Sequence, residues 1–464
     1  MRRRTFLLAT ATAGAAAVGL PMLNVYSPFW LRRPTPTMVP STFSDETAWP
    51  PGKTEARITA ARDRYLCGGT TVSQARNTFT NGWCPVIVDV STLTTRAVLL
   101  DKNGTWTTKM VEPEDRDDRD DRKDGPTSAL TTIVIGPALL DAEHAYLILG
   151  VLSLSSPIPN NTLTPDGEPD VPEGATCTAV MLKIRLSDGT ITASAPLSEY
   201  FLAEHVEKMH LSFSEDAGSL LIAGSNEDYG GNHDTDYIGL RLSADDLSTQ
   251  FDAHSILDSK HITVSSCGQA IEVIHEFTPG KGIVFLANGS QEPLSDNRAL
   301  VVKDGWYYYL KPDSVLSTSR YWARNLASGD SLELTGEGLS ETALESIWPT
   351  IASENQELII IDRDSTRGTA ITVHLPGIPT PIVAWTRMTD KELKGAAIRG
   401  DVLYTAYDSG DSDRTDRDHL VLTSVSTGET IAEKDQKTTV WSNLTNVVTA
   451  WGLATHDGFY ATKA

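Results

Sequence analysis

Only four cysteines occur in 464 residues, so no dense disulfide framework holds this chain and its stability has to come from a packed core. Catalytic signatures are missing as well. There is no Gly-x-Ser-x-Gly elbow, no His-Glu-x-x-His pair, no phosphate-cradling glycine loop and no Gly-x-Gly-x-x-Gly after a strand, the arrangements that announce the common hydrolase, metalloprotease and nucleotide chemistries. Positive charge is scarce: 39 Lys and Arg stand against 61 Asp and Glu, a net charge of −22. A surface that acidic repels nucleic acid and anionic lipid headgroups, so no nucleic-acid partner is expected. Past residue 23 no stretch is long and apolar enough to span a bilayer.

What is present begins at the N-terminus. Arg2, Arg3 and Arg4 precede Thr5, Phe6 and Leu7, and an apolar stretch rich in Ala and Gly runs on to Leu23. This resembles the twin-arginine export signals of bacteria, which implies delivery of a folded cargo outside the cytoplasm, secreted or anchored on the outer side of the membrane. Ala15, Ala16 and Ala17 offer a cleavage site, and Pro21 interrupts the apolar segment. An uncleaved anchor is the alternative, its arginines holding that end in the cytoplasm. Residues 1–30 are thus expected as signal or membrane anchor, the only membrane contact. Residues 31–55, carrying Pro34, Pro36, Pro40, Pro50 and Pro51, read as a solvated Pro-rich linker. A short helix is expected near 55–65.

Cys67, Cys84, Cys177 and Cys267 suit an oxidising compartment. Cys67 and Cys84 enclose a polar, turn-rich stretch and are expected to form a disulfide. Cys177 and Cys267 fit either a second bridge or two buried thiols. Their spacing is too wide for a structural zinc site.

The composition, 40% hydrophobic and 22% charged, can bury a large core, and the body from 56 to 464 reads as strands. Two alternating segments around a tight polar turn recur at 86–98 (VIVDVSTLTTRAV), 181–193 (MLKIRLSDGTITA), 238–251 (IGLRLSADDLSTQF), 300–310 (LVVKDGWYYYL), 371–385 (ITVHLPGIPTPIVAW) and 420–433 (LVLTSVSTGETIAE). Period-two alternation about Asp-Gly or Thr-Gly is a hairpin signature, because those residues accept the backbone angles of a tight turn. More continuously apolar pairs precede most of them, at 145–154, 210–224, 271–288, 348–362 and 397–408, as strands covered on both faces would be. Pair plus hairpin makes a four-stranded sheet, and its repetition points to an all-β fold, a single β-propeller. The expected count is seven blades, with six as the alternative. The tail 450–462 (AWGLATHDGFYAT) lacks an outer hairpin and the hairpin 86–98 lacks an inner pair, so the two are expected to share one blade that closes the ring from both termini. The segment 421–434 (VLTSVSTGETIAEK), with its Thr427-Gly428 turn, resembles the repeats of quinoprotein-type propellers. Ala432 and Glu433 stand where that family carries a tryptophan, and no hairpin carries the Trp-Asp of WD-like repeats. The resemblance implies the fold and no quinone cofactor.

Candidate sites are few. Asp408, Asp411, Asp413, Asp416 and Asp418 could ligate calcium through alternating carboxylates, but Arg414 and Arg417 lie among them, favouring a self-paired loop. His233, Asp234 and Asp236 adjoin a double glycine that a ligand could approach, though such residues are ordinary in turns. His275 lies on an apolar strand as a core histidine would. The mixed-charge run 112–124 (EPEDRDDRDDRKD) buries nothing. No catalytic, cofactor or metal residue is assigned. The expected function is a monomeric extracellular scaffold or binding protein for a protein or glycan. The alternative is a propeller hydrolase or lyase acting on polysaccharide, since paired carboxylates can come from distant blades.

Overall fold

In the computed structural model the described residues run from 36 to 463, leaving out 51–54, 73–74, 76–78, 80–82, 102, 112–130, 154–175, 198–202, 215, 226–236, 253–261, 267–268, 276–281, 287–290, 294–297, 304, 314–317, 335–341, 344–357, 365–367, 375–379, 381–384, 386, 388–392, 409–416 and 438–445. Strand follows strand in antiparallel meanders, so each sheet is built from chain neighbours. The first blade joins β1 (Ala56–Arg62), β2 (Tyr65–Thr71), β3 (Trp83–Asp89), β4 (Thr94–Leu100) and β5 (Trp106–Met110) in that order. The second joins β6 (Thr131–Leu140), β7 (His144–Ser153), β8 (Thr176–Arg185) and β9 (Ile191–Pro196). Then come a third, β10 (His210–Phe213), β11 (Ser219–Ser225), β12 (Tyr237–Ser243) and β13 (Thr249–Asp252), and a fourth, β14 (Ile262–Ser266), β15 (Ala270–His275), β16 (Gly282–Leu286) and β17 (Gln291–Pro293). The fifth holds β18 (Arg298–Lys303), β19 (Trp306–Asp313), β20 (Thr318–Asn325) and β21 (Ser331–Glu333), with β22 (Thr342–Ala343) beside β20. A two-stranded sheet, β23 (Leu358–Asp364) and β24 (Gly368–His374), precedes the sixth blade, β25 (Leu393–Arg399), β26 (Val402–Asp408), β27 (Arg417–Ser424) and β28 (Thr430–Lys437). The chain ends in β29 (Val447–Val448), β30 (Gly452–Thr455) and β31 (Gly458–Ala461).

The protein is therefore an all-β propeller with six full blades, the alternative of the two counts that the sequence supports. Four of the expected hairpins, at 86–98, 181–193, 238–251 and 420–433, are third and fourth strands of their blades. The segment 300–310 instead makes the inner pair β18–β19, and the outer pair β20–β21 comes from 321–334. One turn geometry recurs. Gly189 N donates to Arg185 O at 2.8 Å, Leu247 N to Ser243 O at 3.0 Å, Gly329 N to Asn325 O at 2.8 Å and Gly428 N to Ser424 O at 2.8 Å. All four turning residues have positive φ, between 61° and 76°, where glycine is unstrained and Leu247 is not.

Three expectations are corrected. Residues 56–62 are a strand, not a helix, because they pair with β2. The hairpin β3–β4 thus has its own inner pair and does not share a sheet with the tail. The tail is extended by the N-terminal side: Phe43 bridges Thr462 and Trp49 bridges Phe459, and both Phe43 and Trp49 are buried. Of the stretch expected as a solvated spacer, residues 40, 43, 44 and 48–50 are buried, since its aromatics have an apolar cluster to enter, while 36–39, 45, 46 and 55 are exposed as expected. Phe43 lies with Tyr404, Leu420, Leu453 and Tyr460, while Phe459 and Ala461 belong to the cluster of Leu66 and Val86. The terminal sheet therefore sits between the sixth blade and the first.

Cys67 and Cys84 are free thiols, both buried, and the disulfide expected between them is absent. Cys67 faces Ile87 and Cys84 faces Thr70. The odd offset sends the two side chains to opposite faces of the sheet. Burial pushes the Cys84 thiol up to about 12 and the Cys67 thiol up further in the same direction. Cys177 lies in β8 opposite Leu152, and Cys267 lies outside the described residues.

Candidate functional site

In an antiparallel meander the first and third connections of each sheet emerge at one end and the second at the other. Here the first end carries tight turns, such as 63–64, 141–143 and 186–190, and the other receives the longer connections 154–175, 226–236 and 409–416. The two polar clusters singled out in the sequence fall within 226–236 and 408–418, the latter reaching into the strands on either side. Asp411, Asp413, Asp416, His233, Asp234 and Asp236 lie outside the described residues, as does 112–124. Asp408 and Asp418 are opposite one another in β26 and β27, and His275 is the last residue of β15, opposite Ile262. Among the described residues no group of three His, Cys, Asp or Glu is placed to hold a metal ion.

A cleft of about 580 Å³ opens at the tight-turn end, where the first blade, the second blade and the terminal sheet meet. The first blade contributes Arg62, Asp63, Arg64 and Tyr65, the second Asp141, Ala142, Glu143, Arg185, Leu186 and Ser187, and the terminal sheet Trp451. Local chemistry fixes each wall. Asp63 takes a left-handed φ of 49° to turn β1 into β2, and Val90 N donates to Arg64 O at 2.8 Å, tying that turn to the next. Asp141 accepts from the backbone N–H of Glu143 and of His144, each at 2.6 Å, and from the Tyr146 hydroxyl at 2.9 Å. Burial alone would raise the Asp141 carboxyl, but these donors outweigh it and hold the group below the usual carboxylate range. Burial first, and the hydrogen bond to Asp141 second, push the Tyr146 phenol up. Leu186 N donates to Glu143 O at 2.8 Å and so joins the two turns of the second blade. On the third wall Trp451 O accepts Thr462 N at 3.0 Å, and Ala450 O accepts Thr37 N at 2.6 Å. Both chain ends hold the tryptophan turn.

The charges are arranged rather than random. Arg64 lies over the Tyr65 ring at 5.0 Å from its centroid, donates to the Tyr65 hydroxyl at 2.8 Å and faces Asp89 at 3.6 Å. Arg185 pairs with Asp188 at 3.1 Å. Arg62 gives one N–H to Leu140 O at 3.1 Å, a small part of a guanidinium's five donors. The cleft thus combines cationic donors, carboxylate acceptors and two aromatic rings in a pre-formed frame.

Comparison with known proteins gives the architecture company and nothing more. No protein-family model matches the chain, and no curated protein does. Similar solved structures include the β-propeller domain of the Trilobed protease from Pyrococcus furiosus, 9% identical with a TM-score of 0.37 over 85% of this chain and 96% of that one. An uncharacterised protein from Listeria monocytogenes is 9% identical with a TM-score of 0.39 over 91% and 90%. The acylaminoacyl peptidase of Pyrococcus horikoshii is 10% identical with a TM-score of 0.32 over 77% of this chain and 58% of that one.

Sequence reasoning placed no functional residue in this cleft. Arg62, Asp141 and Glu143 are single charged residues in turns, a commonplace pattern, and Trp451 lies in a segment read only as a strand pair. Their convergence depends on sheets from opposite ends of the chain.

Proposed function

We propose that this propeller is a binding protein of the cell envelope that holds a protein or glycan ligand in the cleft between its first, second and terminal sheets. The observation that carries this reading is the cleft itself, three arginines and two aromatic rings fixed by turns of three sheets in a volume within the range of about 300–1,000 Å³ usual for ligand sites. Delivery by the twin-arginine route to the outer side of the cytoplasmic membrane is supported by Arg3, Arg4, Thr5, Phe6 and Leu7. Residues 1–30 serve as signal or anchor, and the protein works as a monomer kept apart from its copies by an acidic surface. The test has two arms. Replacing Arg3 and Arg4 by lysine is expected to abolish export, measured by fractionation. A panel of envelope glycans and peptides, measured by calorimetry against the wild type and Trp451→Ala, is expected to contain a ligand that the variant loses. A panel in which no ligand separates the two proteins overturns the cleft as binding site, and shortened polysaccharide products would establish a hydrolase or lyase instead.

A further inference from the structure

We infer that the cleft takes an acidic saccharide, a short chain carrying a uronic-acid unit; the inference rests on the binding role proposed above and names its ligand class. The lining is mixed in a way that suits this chemistry. Trp451 and Tyr65 put aromatic side chains on the lining, the Tyr65 ring with the Arg64 guanidinium over it, and the C–H face of a pyranose ring packs against such groups. Arg62 has committed one N–H to Leu140 O, and the planar fork of a guanidinium matches a carboxylate in bidentate fashion. Asp63 and Glu143 stand on the same lining and accept hydrogen bonds from ring hydroxyls, which are both donors and acceptors, so one sugar satisfies both signs of charge. A peptide fits less well. Its side chains call for apolar pockets, and Ala142 and Leu186 are the aliphatic members of the lining.

The charge of the whole chain sharpens the inference. A protein of net charge −22 repels a long polyanion, so the cleft favours a short oligomer or a chain end over the middle of a polymer. Repulsion over the open surface is screened by salt, with a Debye length of about 8 Å at physiological ionic strength, whereas contacts inside a cleft are screened less. Affinity for a short uronate is therefore expected to change little with salt.

Isothermal calorimetry of the full chain with an oligogalacturonate tests this. The expected result is binding that is lost when the carboxylates are reduced to neutral alcohols and that weakens at least about tenfold, roughly 1.4 kcal/mol, in Arg62→Ala. Trp451→Leu, which keeps an apolar group at that place, is expected to weaken it as well, so the inference stays testable if the arginine variant misfolds. Equal binding of the reduced oligomer, or no binding of the acidic one, overturns the inference. Binding of an oligoglutamate peptide with the same dependence on Arg62 also overturns the saccharide class, yet leaves the cleft as a binding site. Failure of every probe, glycan and peptide alike, removes both.

Discussion

Asp141 begins a turn whose four residues decide how the second blade meets its neighbours. Its carboxylate is held by two backbone N–H groups and the Tyr146 hydroxyl, and that hydroxyl, its one proton given to Asp141, lies 3.2 Å from Ala244 O of the third blade. The folded-state value of Asp141 lies below the ordinary one, so ionised Asp141 stabilises the native protein at pH values above the unfolded value of about 3.9. That contribution is lost as pH falls through the folded value. Asp141→Ala is expected to lose about 1–3 kcal/mol near neutral pH, with the gap to the wild type closing in acid; urea unfolding across a pH series checks it. The sequence gives this residue no mark, because Asp is common in turns. Cys67 and Cys84 show the same limit. Their presence and spacing are legible, but pairing depends on strand register, and the register sends them to opposite faces.

At the scale of elements, the strands with period-two alternation and a glycine turn were legible, as at 181–193 and 420–433, because the turn residue and the alternation report the same local geometry. The pair β1–β2 was not. Gly68 and Gly69 read as loop residues, yet they lie in the middle of β2, buried, where the backbone of β1 comes close. A Cβ on Gly68 would run into the carbonyl oxygen of Arg57, and one on Gly69 into the Ile135 and Trp83 side chains. Glycine is there for close approach and not for turning. Gly68→Ala is therefore expected to destabilise the protein by about 2–4 kcal/mol, since backbone rather than a mobile side chain stands in the way. Chemical denaturation measures it, and a wild-type midpoint would refute the close packing of β1 on β2.

For the whole molecule, the decisive contact is between residues far apart in the chain. Phe43 is fully buried, and the Gln436 side chain accepts from Phe43 N at 3.3 Å and donates to Phe43 O at 3.4 Å. Lys463 pairs with Asp45 at 2.9 Å. The segment 43–49 covers the outer edge of β31, which would otherwise offer unpaired backbone groups to another chain. Phe43→Ala is expected to cost about 3–5 kcal/mol and to raise self-association, measured by unfolding and by light scattering. An unchanged midpoint would show that the ring holds without this seal.

By itself the sequence determined the all-β class, the repetition of strand pairs and hairpins, and the sharp acidic balance, because each is set by residues within a few positions of one another. The tertiary structure alone decided the six full blades, the free thiols, the seal at the chain ends and the cleft. Those depend on which edges meet and which faces are covered, and a side chain such as Trp451 gains its neighbours only when the terminal sheet comes to rest against the first blade.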